Sequence, residues 1–209
     1  MLGGNLDKLR RLEQIRPFSG LVPQVVARLA HASIHSINHR MSISPDISIR
    51  HAELRDAVGL RDMHAHPDVY KGTMQLPFPP EDRWKPRLEA LPHGSINLVA
   101  DAKGVIVGHA SLIANPKALR RKHAAGLGMA IHHQWQRQGI ATEMLRLLID
   151  AADNWLDFRR LELDVFADNL RAIKLYEKFG FELEGRHKAH SFRNGSYVDV
   201  LTMARLRNL

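Results

Sequence analysis

The stretch Gln136–Met144, "QRQGIATEM", says more about this chain than any other. Gly139 and Ala141 open a long amphipathic pattern at a place where better helix formers than glycine are expected. A helix start carries unpaired backbone N–H groups and a partial positive charge, so it attracts anions when side chains stay out of the way. Gly139 and Ala141 meet that condition. A glycine near a helix start is also common for ordinary reasons, so its weight depends on the surroundings.

Downstream, Ile140, Met144, Leu147, Leu148, Ala151, Ala152 and Trp155 recur with helical spacing and predict one buried stripe. Upstream, "AAGLGMAI" (124–131) reads as a strand with Leu127, Met129 and Ile131 on one face. Gly126 and Gly128 lie between them. Farther out, "ISIRHAEL" from Ile47 reads as a strand and "DAVGLRDMHAH" as a helix with Asp56 as N-cap. "MQLPFPP" is a Pro-broken loop, and "EDRWKPRLEAL" a short helix that tolerates Pro86 only near its first turn. "SINLVAD" and "VIVGHASLI" form a hairpin across Ala102-Lys103-Gly104. "LELDVFA" is a strand, residues 169–179 a helix ended by Gly180, and two last strands join at Asn194-Gly195. The order β-α-α-β-β-β-α-β-α-β-β predicts an α+β fold, a mixed, mostly antiparallel sheet with helices on both faces.

Composition sets the outer limits. The 209 residues are 44% hydrophobic and 25% charged, proportions of a soluble globular protein. No apolar run reaches the ~20 residues needed to span a bilayer, so no membrane partner is expected. Cysteine is absent, which excludes disulfides, thiolate metal sites and a Cys nucleophile, and fits a cytoplasmic protein. The net charge of +8 suits nucleic acid or an anionic small ligand equally well. Residues 1–40 hold half of it, six Arg/Lys against Asp7 and Glu13. Residues 1–45 are read as a basic, partly helical or disordered extension and 46–209 as the working domain. Within the extension, His31, His35 and His39 repeat every fourth residue, a spacing that can bind metal but also suits a polar helix stripe.

Gln136-Arg137-Gln138-Gly139-Ile140-Ala141 resembles the Q/R-x-x-G-x-G/A signature of the GNAT superfamily of acyl-CoA-dependent N-acetyltransferases. No Lys-Ser/Thr pair follows the glycine, which argues against a nucleotide triphosphatase. A second element, "NLRAIKLYEKFGF" (169–181), is similar to that family's N-x-x-A-x-x-x-Y-x-x-x-G-F pattern. Asn169 and Tyr176 are seven residues apart, two helical turns less about 20°, so both point the same way. Between about residues 47 and 206 the chain is similar to the bacterial L-amino acid N-acetyltransferases of this superfamily. The matching stretches include "IRHAELRD", "HPDVY", "GTMQLPFP", "DNWL" and "RNGSYVD".

The resemblance implies acetyl-CoA as co-substrate, with no metal. It puts the pyrophosphate on the backbone of Gln136, Arg137, Gln138, Gly139, Ile140 and Ala141. Main-chain groups of Met129 and Ile131 would pair with the pantetheine arm, on a strand splayed from its neighbour by a bulge at Gly126 and Gly128, with Asn169 beside it and the Ile131 N–H polarising the thioester carbonyl. Tyr176 would be the general acid at the departing thiolate. For an amino acid acceptor, Met74, Gln75, Leu76 and Phe78 offer the side-chain pocket. Arg83, Arg186, His190 and Arg193 are the cations for its carboxylate, Arg193 foremost. The strand before the signature carries no acid, which favours water-relayed deprotonation with His123 and Asp164 as the residue candidates. A protein N-terminus, a polyamine or another small amine is the alternative acceptor. A non-catalytic acyl-CoA or nucleic-acid binder is a remote reading, since no recognition helix or zinc motif is present, and a homodimer stays open.

Overall fold

The computed structural model describes residues 43–207; the expected extension and its histidines His31, His35 and His39 lie outside the described residues. Strand β1 (Ile47–His51) leads through a 3₁₀ turn, Leu54–Asp56, into α1 (Ala57–Ala65). After α2 (Pro67–Tyr70) a long loop reaches α3 (Trp84–Glu89), then the hairpin of β2 (Ile96–Ala102) and β3 (Val105–Ala114). Strand β4 (Ala124–Ile131), α4 (Ile140–Asn154), β5 (Arg160–Phe166) and α5 (Leu170–Lys178) follow, and β6 (Glu182–Arg193) and β7 (Ser196–Leu206) close the chain. The seven strands line up as β1-β2-β3-β4-β5-β7-β6, antiparallel except for β4 beside β5. This is the expected α+β order with α2 added. Pro67 starts α2, where its missing N–H costs nothing, and His66 is its N-cap.

Both tight turns come out as their residues dictate. Lys103-Gly104 and Asn194-Gly195 have positive φ throughout (53°, 92°, 51° and 79°), which Asn and Gly tolerate best. Helix α1 packs Ala57, Leu60 and Met63 with Val69, Trp84, Val99 and Ile106. On α4 the buried residues are Ile140, Met144, Leu145, Leu148, Ala151 and Ala152. Leu145 replaces the expected Leu147, because the stripe is broad enough to take either neighbour. Trp155 is 56% exposed, since the helix stops before it and Trp155 has left helical geometry. Asp56 stands at the expected N-cap of α1, but its side chain makes no cap hydrogen bond to the helix. Its carboxylate instead accepts from the Glu53 N–H at 2.8 Å and is gripped by Arg50 at 2.7 and 2.8 Å.

One strand pair positions everything that follows. β4 and β5 stay in register over only three pairs, ending at Gly126 with Glu162, and then diverge. No bulge at Gly126 or Gly128 causes this. β4 pairs with β3 without interruption from Ala125 to Ile131. The glycines contribute space instead: a Cβ on Gly126 would meet nothing within 4 Å, and one on Gly128 only the Ser111 hydroxyl at 3.3 Å.

Candidate active site

The divergence opens a gap in the middle of the sheet, and two cavities meet there. One, of about 800 Å³, runs along Met129–Ile131 to the start of α4 and the start of α5. The other, of about 770 Å³, lies beneath α3 and the loop after α2, floored by β3, β4 and β5. Met129, Asn169 and Tyr176 line both, so they mark the junction.

The first cavity is a backbone site. The His132 N–H donates to the Val107 carbonyl at 2.8 Å, which fixes the parity of β4 pairing with β3. The alternate residues Met129 and Ile131 therefore turn their amide groups away from β3, into the gap where β5 no longer answers them. At the far end Gly139 is the N-cap of α4 with φ +81°, a left-handed conformation that glycine adopts freely and a side chain does not. The close-approach argument for Gly139 thus has a second, conformational reason. Beyond it, the N–H groups of Ile140, Ala141 and Thr142 form the unpaired first turn of the helix.

Gln136, Arg137, Gly139, Ile140 and Ala141 all line this cavity, and Gln138 does not. The Gln138 side chain turns back and donates to the Gln134 carbonyl at 3.2 Å. Gln136 braces the loop, donating to the Ile131 carbonyl at 3.3 Å and accepting from Arg171 at 2.7 Å. Asn169 is an N-cap rather than a helical residue. Its Oδ1 accepts from the Ala172 N–H at 3.2 Å, which leaves its amide N–H groups for a ligand. Tyr176 is 6% exposed, and burial pushes its phenol up to about 12, so it stays protonated across the physiological range.

The second cavity contains polar groups that the sequence reading passed over. His64, His109 and Asn97 form a buried chain: His64 Nε2 to His109 Nδ1 at 3.2 Å, and His109 Nε2 to Asn97 Oδ1 at 3.3 Å. The Asn97 oxygen only accepts, so His109 carries its proton on Nε2, and His64 donates to the bare Nδ1. Burial holds His64 down at about 3 and His109 at about 4, helped by the nearby cation Arg87 and, for His64, by His109 itself and Arg83. Both rings are neutral at pH 7. Arg87 also lines this cavity, with its guanidinium 5.2 Å from the Trp84 ring centroid. Burial and the neighbouring Arg83 lower its pKa, and no carboxylate pairs with it among the described residues.

The expected acceptor residues divide. Met74 and Gln75 line the cavity; Leu76 and Phe78 do not, being 71% and 93% exposed. Their side chains leave the loop on its outer side, where the Pro-rich backbone turns and Phe78 has φ 55°. Arg193 lines neither cavity. It is ion-paired with Asp168, donates to the Lys71 carbonyl at 3.3 Å and sits 4.5 Å over the Phe166 ring, buttressing the wall from behind. Arg186 is held by Asp199 at 2.6 Å on the edge hairpin. Of the proposed bases, Asp164 lines the cavity and accepts from the Thr202 hydroxyl at 2.8 Å; His123 does not line it.

Arg87 was hidden because a charge in "WKPRLE" looks like a solvated helix face. His109 had a signal, a histidine inside the otherwise apolar run "VIVGHASLI".

The chain matches the Acetyltransferase (GNAT) family over residues 63–181. It is 44% identical over 162 residues to the L-amino acid N-acetyltransferase AaaT of Escherichia coli (strain K12), covering 78% of this chain and 99% of that protein. Among solved structures, a GNAT-family acetyltransferase from Streptococcus pneumoniae superposes with a TM-score of 0.69 at 26% identity, covering 77% of this chain and 99% of that one. A phosphinothricin acetyltransferase from Sinorhizobium meliloti, solved in complex with AcCoA, has the same fold with a TM-score of 0.68 at 22% identity. That match covers 77% of this chain and 88% of the other.

Proposed function

The chain belongs to the GNAT family of acetyltransferases, and on that premise we propose that it acetylates the α-amine of a free L-amino acid with acetyl-CoA. The observation that carries the acceptor class is Arg87. Its exposed guanidinium, with no carboxylate partner among the described residues, lines the cavity and favours an acceptor bearing a carboxylate over a polyamine. Asp164, on another wall of the same cavity, supplies the opposite charge for an α-ammonium group. A zwitterion suits this pair; a spermidine-like chain suits only half of it.

The co-substrate's residues follow from the first cavity. The N-terminal turn of α4 and the loop 136–139 would hold the pyrophosphate through main-chain N–H groups. Met129 and Ile131 would hydrogen-bond the amide-bearing arm as a missing strand would. Acetyl-CoA supplies an activated thioester. The free amine, deprotonated through water with Asp164 nearby, forms the C–N bond, and the C–S bond breaks. The N–H of Ile131 is positioned to polarise the carbonyl as negative charge gathers on its oxygen.

Tyr176 lines both cavities, and at their junction it would face the departing sulfur. Its phenol at about 12 is a weaker acid than an ordinary thiol near 8.5, so complete proton transfer would run uphill by about 5 kcal/mol. The phenol therefore acts chiefly as a hydrogen-bond donor to the developing thiolate, and the thiolate takes its final proton from water, to which the acylated nitrogen gives up its own.

Purified protein with acetyl-CoA is offered the twenty common L-amino acids, their methyl esters and spermidine, and thiol release is followed. Free acids should turn over, their esters poorly, and Arg87→Met should raise the amino acid KM about tenfold or more with kcat less affected. Preference for spermidine or for the esters over every free acid would overturn the acceptor assignment.

A further inference from the structure

Three histidines outside the reaction cavities converge at the rim of the coenzyme site. His66 caps the start of α2, while His132 and His133 lie in the turn between β4 and the loop 136–139. Their nearest nitrogens all lie within 4.8 Å of one another, and ring centroids are 4.3 to 4.9 Å apart. Asp68 stands outside that group but beside two of its rings, its Oδ2 3.7 Å from His133 Nδ1 and 3.9 Å from His66 Nδ1.

Packing alone does not account for this cluster. The Nδ1 atoms of His132 and His133 are both buried without a hydrogen-bond partner. A buried polar atom left unpaired costs on the order of 1–3 kcal/mol. Two such atoms, on consecutive residues and beside a third imidazole, repeat that cost at one place. Nor do the two carboxylate distances reach hydrogen-bond length.

We propose that His66, His132 and His133, with Asp68 as fourth ligand, bind a divalent first-row transition metal ion, Zn²⁺ above all. Three imidazoles and a carboxylate are borderline-to-hard donors suited to zinc, and no thiolate competes in a chain without cysteine. Tetrahedral Zn–N bonds of about 2.1 Å place ligand nitrogens about 3.4 Å apart, so the present spread closes by roughly 1.5 Å through side-chain rotation. The ion takes no part in acetyl transfer. It ties the start of α2 to the turn ahead of the loop, and so joins two walls of the first cavity, which both Asp68 and Gln136 line.

The full-length protein, stripped with a chelator, is titrated with Co²⁺ and then Zn²⁺, and thermal midpoints are recorded with and without Zn²⁺. We expect ligand-field absorption of four-coordinate Co²⁺, displaced by one equivalent of Zn²⁺, and a midpoint that rises with the metal. His133→Gln and His66→Asn, the latter keeping a side-chain acceptor for α2, should each weaken Zn²⁺ binding at least tenfold and remove the midpoint rise. The two variants lie on different elements, so failure of one to fold leaves the other decisive. Unchanged Zn²⁺ affinity in the folded variants, or no four-coordinate Co²⁺ spectrum, overturns the site.

Discussion

His64 and His109 come from different elements, α1 and β3, and meet nitrogen to nitrogen at 3.2 Å beneath the acceptor cavity. Neither ring can take a proton there without losing either its place in the chain to Asn97 or its hydration. The consequence is a stability that depends on pH. Unfolded histidine titrates near ~6.5, whereas burial holds these two at about 3 and about 4. Between those limits the unfolded chain binds protons that the folded chain refuses, so stability is complete above pH ~6.5 and falls as pH drops toward 4. From pH 7 to pH 5 the pair should cost on the order of a few kcal/mol, read from urea midpoints. In His109→Gln that loss should shrink. An equal loss in the parent and the variant would remove these rings from the account.

Gly139→Val tests the pyrophosphate loop. The branched side chain meets a left-handed φ of +81°, so the folded state should lose about 1–3 kcal/mol. The same side chain projects beside the first N–H groups of α4, and coenzyme A affinity should fall at least about tenfold by calorimetry. A folded variant that binds coenzyme A normally shows the pyrophosphate lies elsewhere.

Tyr176→Phe keeps the ring against Phe181, 5.8 Å away, so stability should change by about 1 kcal/mol or less. The lost donor should lower kcat by roughly 10²-fold, the scale of one hydrogen bond removed from developing negative charge. The KM for acetyl-CoA should barely move. Since the phenol stays protonated to about 12, the parent should show no alkaline loss of kcat from this group below pH ~11. An unchanged kcat, measured where chemistry limits the rate, would remove Tyr176 from the reaction.

Residues 1–40 are proposed to be dispensable for turnover. Every residue proposed to touch acetyl-CoA or the acceptor lies between Met74 and Tyr176, and β1 begins the sheet at Ile47. A chain starting at Met41 should keep its kcat within about twofold. A folded truncation that is inactive would show that the extension contributes to the site.

The strands, both turns and α4 were legible because periodicity and Asn-Gly or Lys-Gly signals are local. The loop proposed to hold coenzyme A is likewise one contiguous stretch, Gln136 to Ala141. The polar residues of the second cavity are not. Arg87, His64, His109 and Asn97 come from α3, α1, β3 and β2, and only the tertiary fold gathers them. Likewise Arg193 looked available in sequence, and only the fold brings Asp168, Lys71 and Phe166 up to engage it. Charges are visible in a sequence; their partners are not.

The short seam between β4 and β5 has a mechanical side. Only three residue pairs join the first four strands to the last three along that line. Beyond them the sheet is unzipped, and the Met129 amide groups and the Ile131 N–H face a gap that suits a guest with amides of its own. A bound pantetheine arm would stitch the two halves together like a removable rib. Each turnover would then end with the departing product loosening the sheet it had helped to hold, and amide hydrogen exchange at Met129 and Ile131 should slow on saturation with coenzyme A and recover on its removal.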